Sequence, residues 1–127
     1  MTRERLPNRR QSITDNLRWP LIDGRRIHVT AGLSLDSRIL ETFLRGGGQV
    51  GSERDFLLDD VAVLISRTLQ HGDTLEALSR GVGRLSDGAP ASVVGAVIDR
   101  LREIERDMRE GKPQPEAQAP APAREGT

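Results

Sequence analysis

The chain has no cysteine. That excludes disulfides, thiolate nucleophiles, Cys-ligated zinc and iron–sulfur clusters built from its own residues. It also has no excess of charge of either sign, since Lys+Arg and Asp+Glu both total 19. A general polyanion binder normally carries a marked positive excess, so the balance speaks against that class. No apolar run approaches the ~20 residues needed to cross a bilayer. None comes after the basic start in the manner of a secretory signal. The expectation is a cytoplasmic protein with no membrane partner. His28 and His71 are the only histidines. Neither belongs to a metal spacing motif, and nothing in the pattern brings together the three or four ligands a metal needs. No cofactor is expected.

What is present suffices for one core. Of 127 residues, 35% are apolar, and most of these fall between Ile13 and Met108. Beyond Gly111 the Pro- and Ala-rich run has almost nothing to bury and reads as a disordered tail. The expected organisation is a flexible basic arm over 1–12, an α+β domain over 13–110 and a tail over 111–127. Residues 1–26 hold seven arginines (3, 5, 9, 10, 18, 25 and 26) against Glu4, Asp15 and Asp23. Two readings are open for the arm residues Arg3, Arg5, Arg9 and Arg10. They form a solvated terminus, or they touch an acidic partner or a phosphate, which the planar guanidinium holds through two oxygens.

Period-two alternation gives the strands. Asp23-Gly24 reads as a tight turn. It precedes Ile27, Val29, Ala31 and Leu33, with Arg26, His28, Thr30 and Gly32 on the opposite face. That is the signature of a half-buried antiparallel strand. A short strand over 12–18 fits less well because of Asp15 and Asn16. Residues 38–44 suit either a strand or one helical turn, with Thr42 and Phe43 favouring the strand. Three helices come next. The first, entered through Ser52 as N-cap with Asp55 returning the bond, carries Leu58, Val61, Ala62, Ile65 and Leu69 at 3.6-residue spacing. It stops near His71-Gly72, where the imidazole can meet terminal carbonyls. Asp73 and Glu76 suggest a cap for a short second helix with Leu75 and Leu78. The third, with Pro90 in its first turn, carries Val94, Val97, Ile98, Leu101, Ile104 and Met108. Its other face holds the charged neighbours Asp99/Glu103, Arg102/Arg106 and Glu105/Arg109. The fold class is therefore α+β, a small two- or three-stranded antiparallel sheet covered by three helices.

The strongest candidate contact loop is Gly46-Gly47-Gly48-Gln49-Val50-Gly51-Ser52. Free backbone amides there lead into a helix N-terminus, a sensible place for an anion. Arg45 and Arg54 flank it. The candidate phosphate or partner site is Arg45, Gly46, Gly47, Gly48, Gly51, Ser52 and Arg54, and the bland alternative is a plain turn. The loop has neither the lysine nor the spacing of a Walker loop. Asp55 and Asp59 share a helix face and suit an arginine, a divalent cation or plain solvent. No catalytic constellation is visible.

Several strings together resemble the TSCPD-domain family, a small module found at the C-terminus of cobalamin-dependent ribonucleotide reductases and as free-standing short proteins. They are Glu4-Arg5-Leu6-Pro7-Asn8-Arg9-Arg10, Asp23-Gly24-Arg25-Arg26 with the strand 27–32, and Arg38-Ile39 with Glu41 and Phe43-Leu44. Gly51-Ser52, Asp59-Asp60-Val61-Ala62-Val63-Leu64-Ile65-Ser66, Leu69-Gln70-His71-Gly72 and the stretch 75–78 complete the pattern. The Thr-Ser-Cys-Pro-Asp string that names the family is absent. No thiol or metal role tied to that cysteine carries over. Short members often bear a ribonucleoside-diphosphate reductase label, yet that radical reaction needs cysteines and a large barrel that this chain lacks. The resemblance implies a non-catalytic accessory module of nucleotide metabolism. Its expected partner is a protein, a ribonucleotide reductase among the candidates, or a nucleotide phosphate. The alternative is a small nucleic-acid-associated protein making weak phosphate contacts through its arginine-rich arm.

Overall fold

Alternation along 26–33 decides the centre of the molecule. A computed structural model of the chain describes residues 3, 11–18, 26–46 and 53–111, all but the side chain of Arg54. Strand β2 (Arg26–Leu33) is flanked by β1 (Ser12–Arg18) and β3 (Ile39–Gly46), in the order β1-β2-β3. Both pairings are antiparallel. Because successive side chains alternate faces, the register aligns Ile13, Ala31 and Thr42 in one row and Asp15, Val29 and Leu44 in the next, all on one face. That face, with Leu17, Ile27 and Leu33, forms the core. The run over 38–44 is a strand, as Thr42 and Phe43 favoured.

The described residues add three helices: α1 (Glu53–Gln70), α2 (Leu75–Gly81) and α3 (Val93–Arg109). The expected stripes are the ones that bury. Leu58, Ala62, Ile65 and Leu69 of α1 join Val97, Ile98, Leu101 and Ile104 of α3 in the same cluster, with Val61, Val94 and Met108 packed at its border. Among the described residues no helix is long and apolar enough to cross a membrane.

Helix α1 runs antiparallel to β3 along the outer edge of that strand. Ser66 accepts from the Thr42 amide at 2.9 Å and donates to the Thr42 carbonyl at 3.2 Å. Gln70, only 4% exposed, donates to the Leu40 carbonyl at 2.9 Å. An open strand edge invites pairing with other chains. Here two polar side chains of a helix take the place of a fourth strand.

Several local expectations need correction. The N-cap of α2 is Thr74, whose side chain accepts from the Ala77 amide, not Asp73. Pro90 lies before α3, bridged to Arg84, and Ser92 caps the helix. Some charged residues of α3 tie it to other elements, while Glu103, Arg106 and Arg109 are exposed. Arg100 reaches Asp15 of β1 at 2.6 Å, Glu105 accepts from the Ile39 amide at 2.8 Å, and Arg84 clamps both oxygens of Asp99 at 2.6 and 2.8 Å. Asp15 thus tolerates a core-facing strand position because an arginine meets it. Arg84 also holds the carboxyl of Asp99 below the usual carboxylate range, by its hydrogen bond first and its charge second. His71 does meet a helix end, its Nδ1 lying 2.8 Å from the Arg67 carbonyl. The Asp23-Gly24 turn, Arg5, Arg9, Arg10, Gly47, Gly48, Gly51, Ser52, the Arg54 side chain and the tail beyond 111 lie outside the described residues.

Candidate functional site

Among the described residues no helix lies on the second face of the sheet. Alternation that buries Val29 and Leu44 turns Arg18, Arg26, His28 and Arg45 outward, and all four are exposed. The register places Arg18 directly opposite Arg26, and His28 between Asn16 and Arg45. Four cationic or titratable groups therefore share one end of the open face, beside Gly46. None of the four has an ion-pair partner among the described residues. Like charges directly opposite one another across strands repel, so the Arg18–Arg26 pair is a local cost that an anion would relieve.

The other end of that face carries a carboxylate, Glu41. Glu41 folds down over Gly32, where an added Cβ would lie 2.6 Å from its carboxylate oxygen. A side chain at position 32 would force the Glu41 carboxylate to swing aside. Thr14 and Thr30 join across the middle, 3.3 Å apart.

Where α1 rises beside β3, the open face gains a wall. The two enclose a groove of about 1020 Å³. Its floor is His28, Thr30, Glu41, Phe43 and Arg45, and its helical wall includes Asp55, Phe56, Asp59, Val63 and Arg67. Arg3 lies at the end where Gln70 accepts a hydrogen bond from its Nε. Phe43 is 58% exposed and Phe56 is 61% exposed, so two aromatic rings border the groove. Its chemistry is mixed, with His28, Arg45 and Glu41 on the sheet, Asp55, Asp59 and Arg67 on the helix, and flat apolar surface beside both.

Of the residues expected to bind phosphate or a partner, Arg45 and Gly46 line this groove. So does Arg3 of the arm, and so do Asp55 and Asp59. Sequence reasoning did not reach His28, Arg18 and Arg26 as companions of Arg45, because cross-strand neighbours are distant in the chain. It also passed over Phe56 and Val63, which fall off the core stripe of α1. Their signal was present, as apolar residues seven apart on the wrong face of a helix. Among the described residues no group of three or more His, Cys, Asp or Glu side chains is placed to hold a metal ion.

No curated protein and no solved structure matches the chain significantly. A family model does match, that of the TSCPD domain, over residues 2–119. Its span takes in all three strands, all three helices and the whole groove. The chain belongs to the TSCPD-domain family.

Proposed function

We propose that this protein is a non-catalytic accessory module that binds a nucleotide in the groove between the open sheet face and α1. The observation that carries the proposal is the cluster of Arg18, Arg26, His28 and Arg45 at one end of that face, without ion-pair partners among the described residues; His28 and Arg45 line the groove itself, and Arg18 and Arg26 extend the positive surface beyond its mouth. A phosphate fits it, because guanidinium groups hold two oxygens at once. Phe43 and Phe56 supply flat surface for a base, and such stacking is worth about 1–3 kcal/mol per base. Asp59 on the opposite wall suits the amino and ring N–H donors of a base. Asp55 and Asp59 on that wall disfavour a long polyanion running along it, which favours a mononucleotide over nucleic acid held through the arm. A ribonucleotide reductase or another protein of nucleotide metabolism is the partner class within this proposal. The chain supplies no cysteine for that chemistry itself.

The test is titration with inorganic phosphate and with ADP, monitored by backbone amide NMR. The amides of Arg26, His28, Arg45 and Gly46 should move first, and ADP should bind more tightly than phosphate. Changing Arg26 and Arg45 together to Ala should weaken both ligands about tenfold without unfolding the domain, since exposed charges add little stability. Phe43→Ala should erase the preference for ADP. An unmoved cluster at millimolar ligand, or unchanged affinity in the double variant, refutes the reading.

A further inference from the structure

Helix α1 is apolar on two opposite sides. One side is the core stripe. The other carries Phe56, Leu57, Val63 and Leu64, which are 61%, 57%, 54% and 65% exposed. A helix with apolar residues all round is normally covered all round. At about 100° per residue, Phe56, Leu57, Val63 and Leu64 form one stripe centred on Asp60 and bounded by Glu53 and Arg67. All three charged residues are exposed.

The stripe reads the same from both ends. Phe56 and Leu64 lie four residues either side of Asp60, and Leu57 and Val63 lie three either side. Glu53 and Arg67 lie seven either side, with opposite charge. An isologous dimer needs this kind of self-complementarity, in which residue i meets j and j meets i. We propose that α1 is a dimer seam and that its occupant is a second copy of this chain, packed antiparallel about a two-fold axis near Asp60. Phe56 then meets the partner's Leu64, Leu57 meets the partner's Val63, and Glu53 meets the partner's Arg67 at both ends. The seven-residue spacing suits helices crossing at about 20°. Charge complementarity selects this occupant over an unrelated apolar partner, because α1 supplies both the acid and the base that its own copy requires.

The apolar heart is small, four side chains per copy, and it needs the flanking charges to approach the ~1,000 Å² of a specific interface. Asp60 faces its own copy at the centre, and that repulsion weakens the seam. The dimer is therefore concentration-dependent. Phe56, Val63 and Arg67 belong to both the seam and the groove lining, whereas Leu57 and Leu64 do not line the groove, so the two leucines are where the seam can be broken without changing a groove residue.

Sedimentation velocity of the full chain over about two decades of concentration should show a monomer–dimer exchange. Asp60→Asn should tighten it about tenfold, an effect that loss of folding cannot imitate. Leu57→Asp with Leu64→Asp should abolish the dimer while circular dichroism stays unchanged and ADP still binds. Glu53→Arg should weaken association, and Glu53→Arg combined with Arg67→Glu should restore it. A chain that stays monomeric throughout overturns the proposal. So does a dimer that survives the Leu57 and Leu64 changes, or one that is indifferent to Asp60→Asn.

Discussion

Replacing Ser66 by Ala removes the hydroxyl that joins α1 to the edge of β3. That oxygen makes two hydrogen bonds, accepting from the Thr42 amide at 2.9 Å and donating to its carbonyl at 3.2 Å. Each is worth about 0.5–1.5 kcal/mol net, and a buried group left unpaired costs about 1–3 kcal/mol. Thr42 is 1% exposed, so water does not reach it freely. Ser66 itself is half-buried and borders the groove, and water entering from that side recovers part of the loss. The net destabilisation should be about 2 kcal/mol, equivalent to a fall in Tm of roughly 8–16 °C for a folded unit of this size. Urea denaturation at matched protein concentration measures the first, and a thermal melt measures the second. Hydrogen exchange supplies the local readout, since the Thr42 amide should lose protection before the amides of β1 do. Ser66→Thr keeps the hydroxyl and should retain most of the stability. A loss below about 0.5 kcal/mol, within the range of an ordinary surface change, with the Thr42 amide still protected, would show that the strand edge is closed by packing alone.

Two further outcomes are expected. Leu101 is 0% exposed at the centre of the cluster, and Leu101→Ala should cost about 2–5 kcal/mol by chemical denaturation; a cost under ~1 kcal/mol would place the core elsewhere. The carboxyl of Asp99 is held below its ordinary value by Arg84. Its ionised form therefore stabilises the fold, fully above the unfolded-state pKa near 4, and the contribution fades as pH falls through the lower folded value. Asp99→Asn should thus be less stable than the parent at neutral pH, with the gap narrowing as pH falls below about 4; a gap that stays constant as the pH is lowered contradicts the assignment.

The strands and helices were legible because burial imposes a period on the chain. Alternation at Ile27, Val29, Ala31 and Leu33 marked β2, and the 3.6-residue stripes of α1 and α3 marked their core faces. The one ambiguous segment, 38–44, was ambiguous for a physical reason. Seven residues with apolar side chains on both sides satisfy a strand and a helical turn alike, and only pairing with β2 decides between them. Arg45 and Gly46 were visible as site candidates from local chemistry alone, as charge and glycine beside a helix start.

Other features arise from contacts between distant segments. Asp15 looked like a defect in a strand until Arg100, from the far end of the chain, met it at 2.6 Å. Cross-strand register, which no local pattern specifies, brought Arg18, Arg26, His28 and Arg45 to one end of the sheet. Composition and periodicity therefore determined the class of fold, the core positions and the exclusion of thiol chemistry. Tertiary structure alone decided which charges face one another and that α1 guards a strand edge with Ser66 and Gln70. It also decided that Phe43 and Phe56 border one groove, because these contacts depend on where the chain returns in space rather than on the order of residues along it.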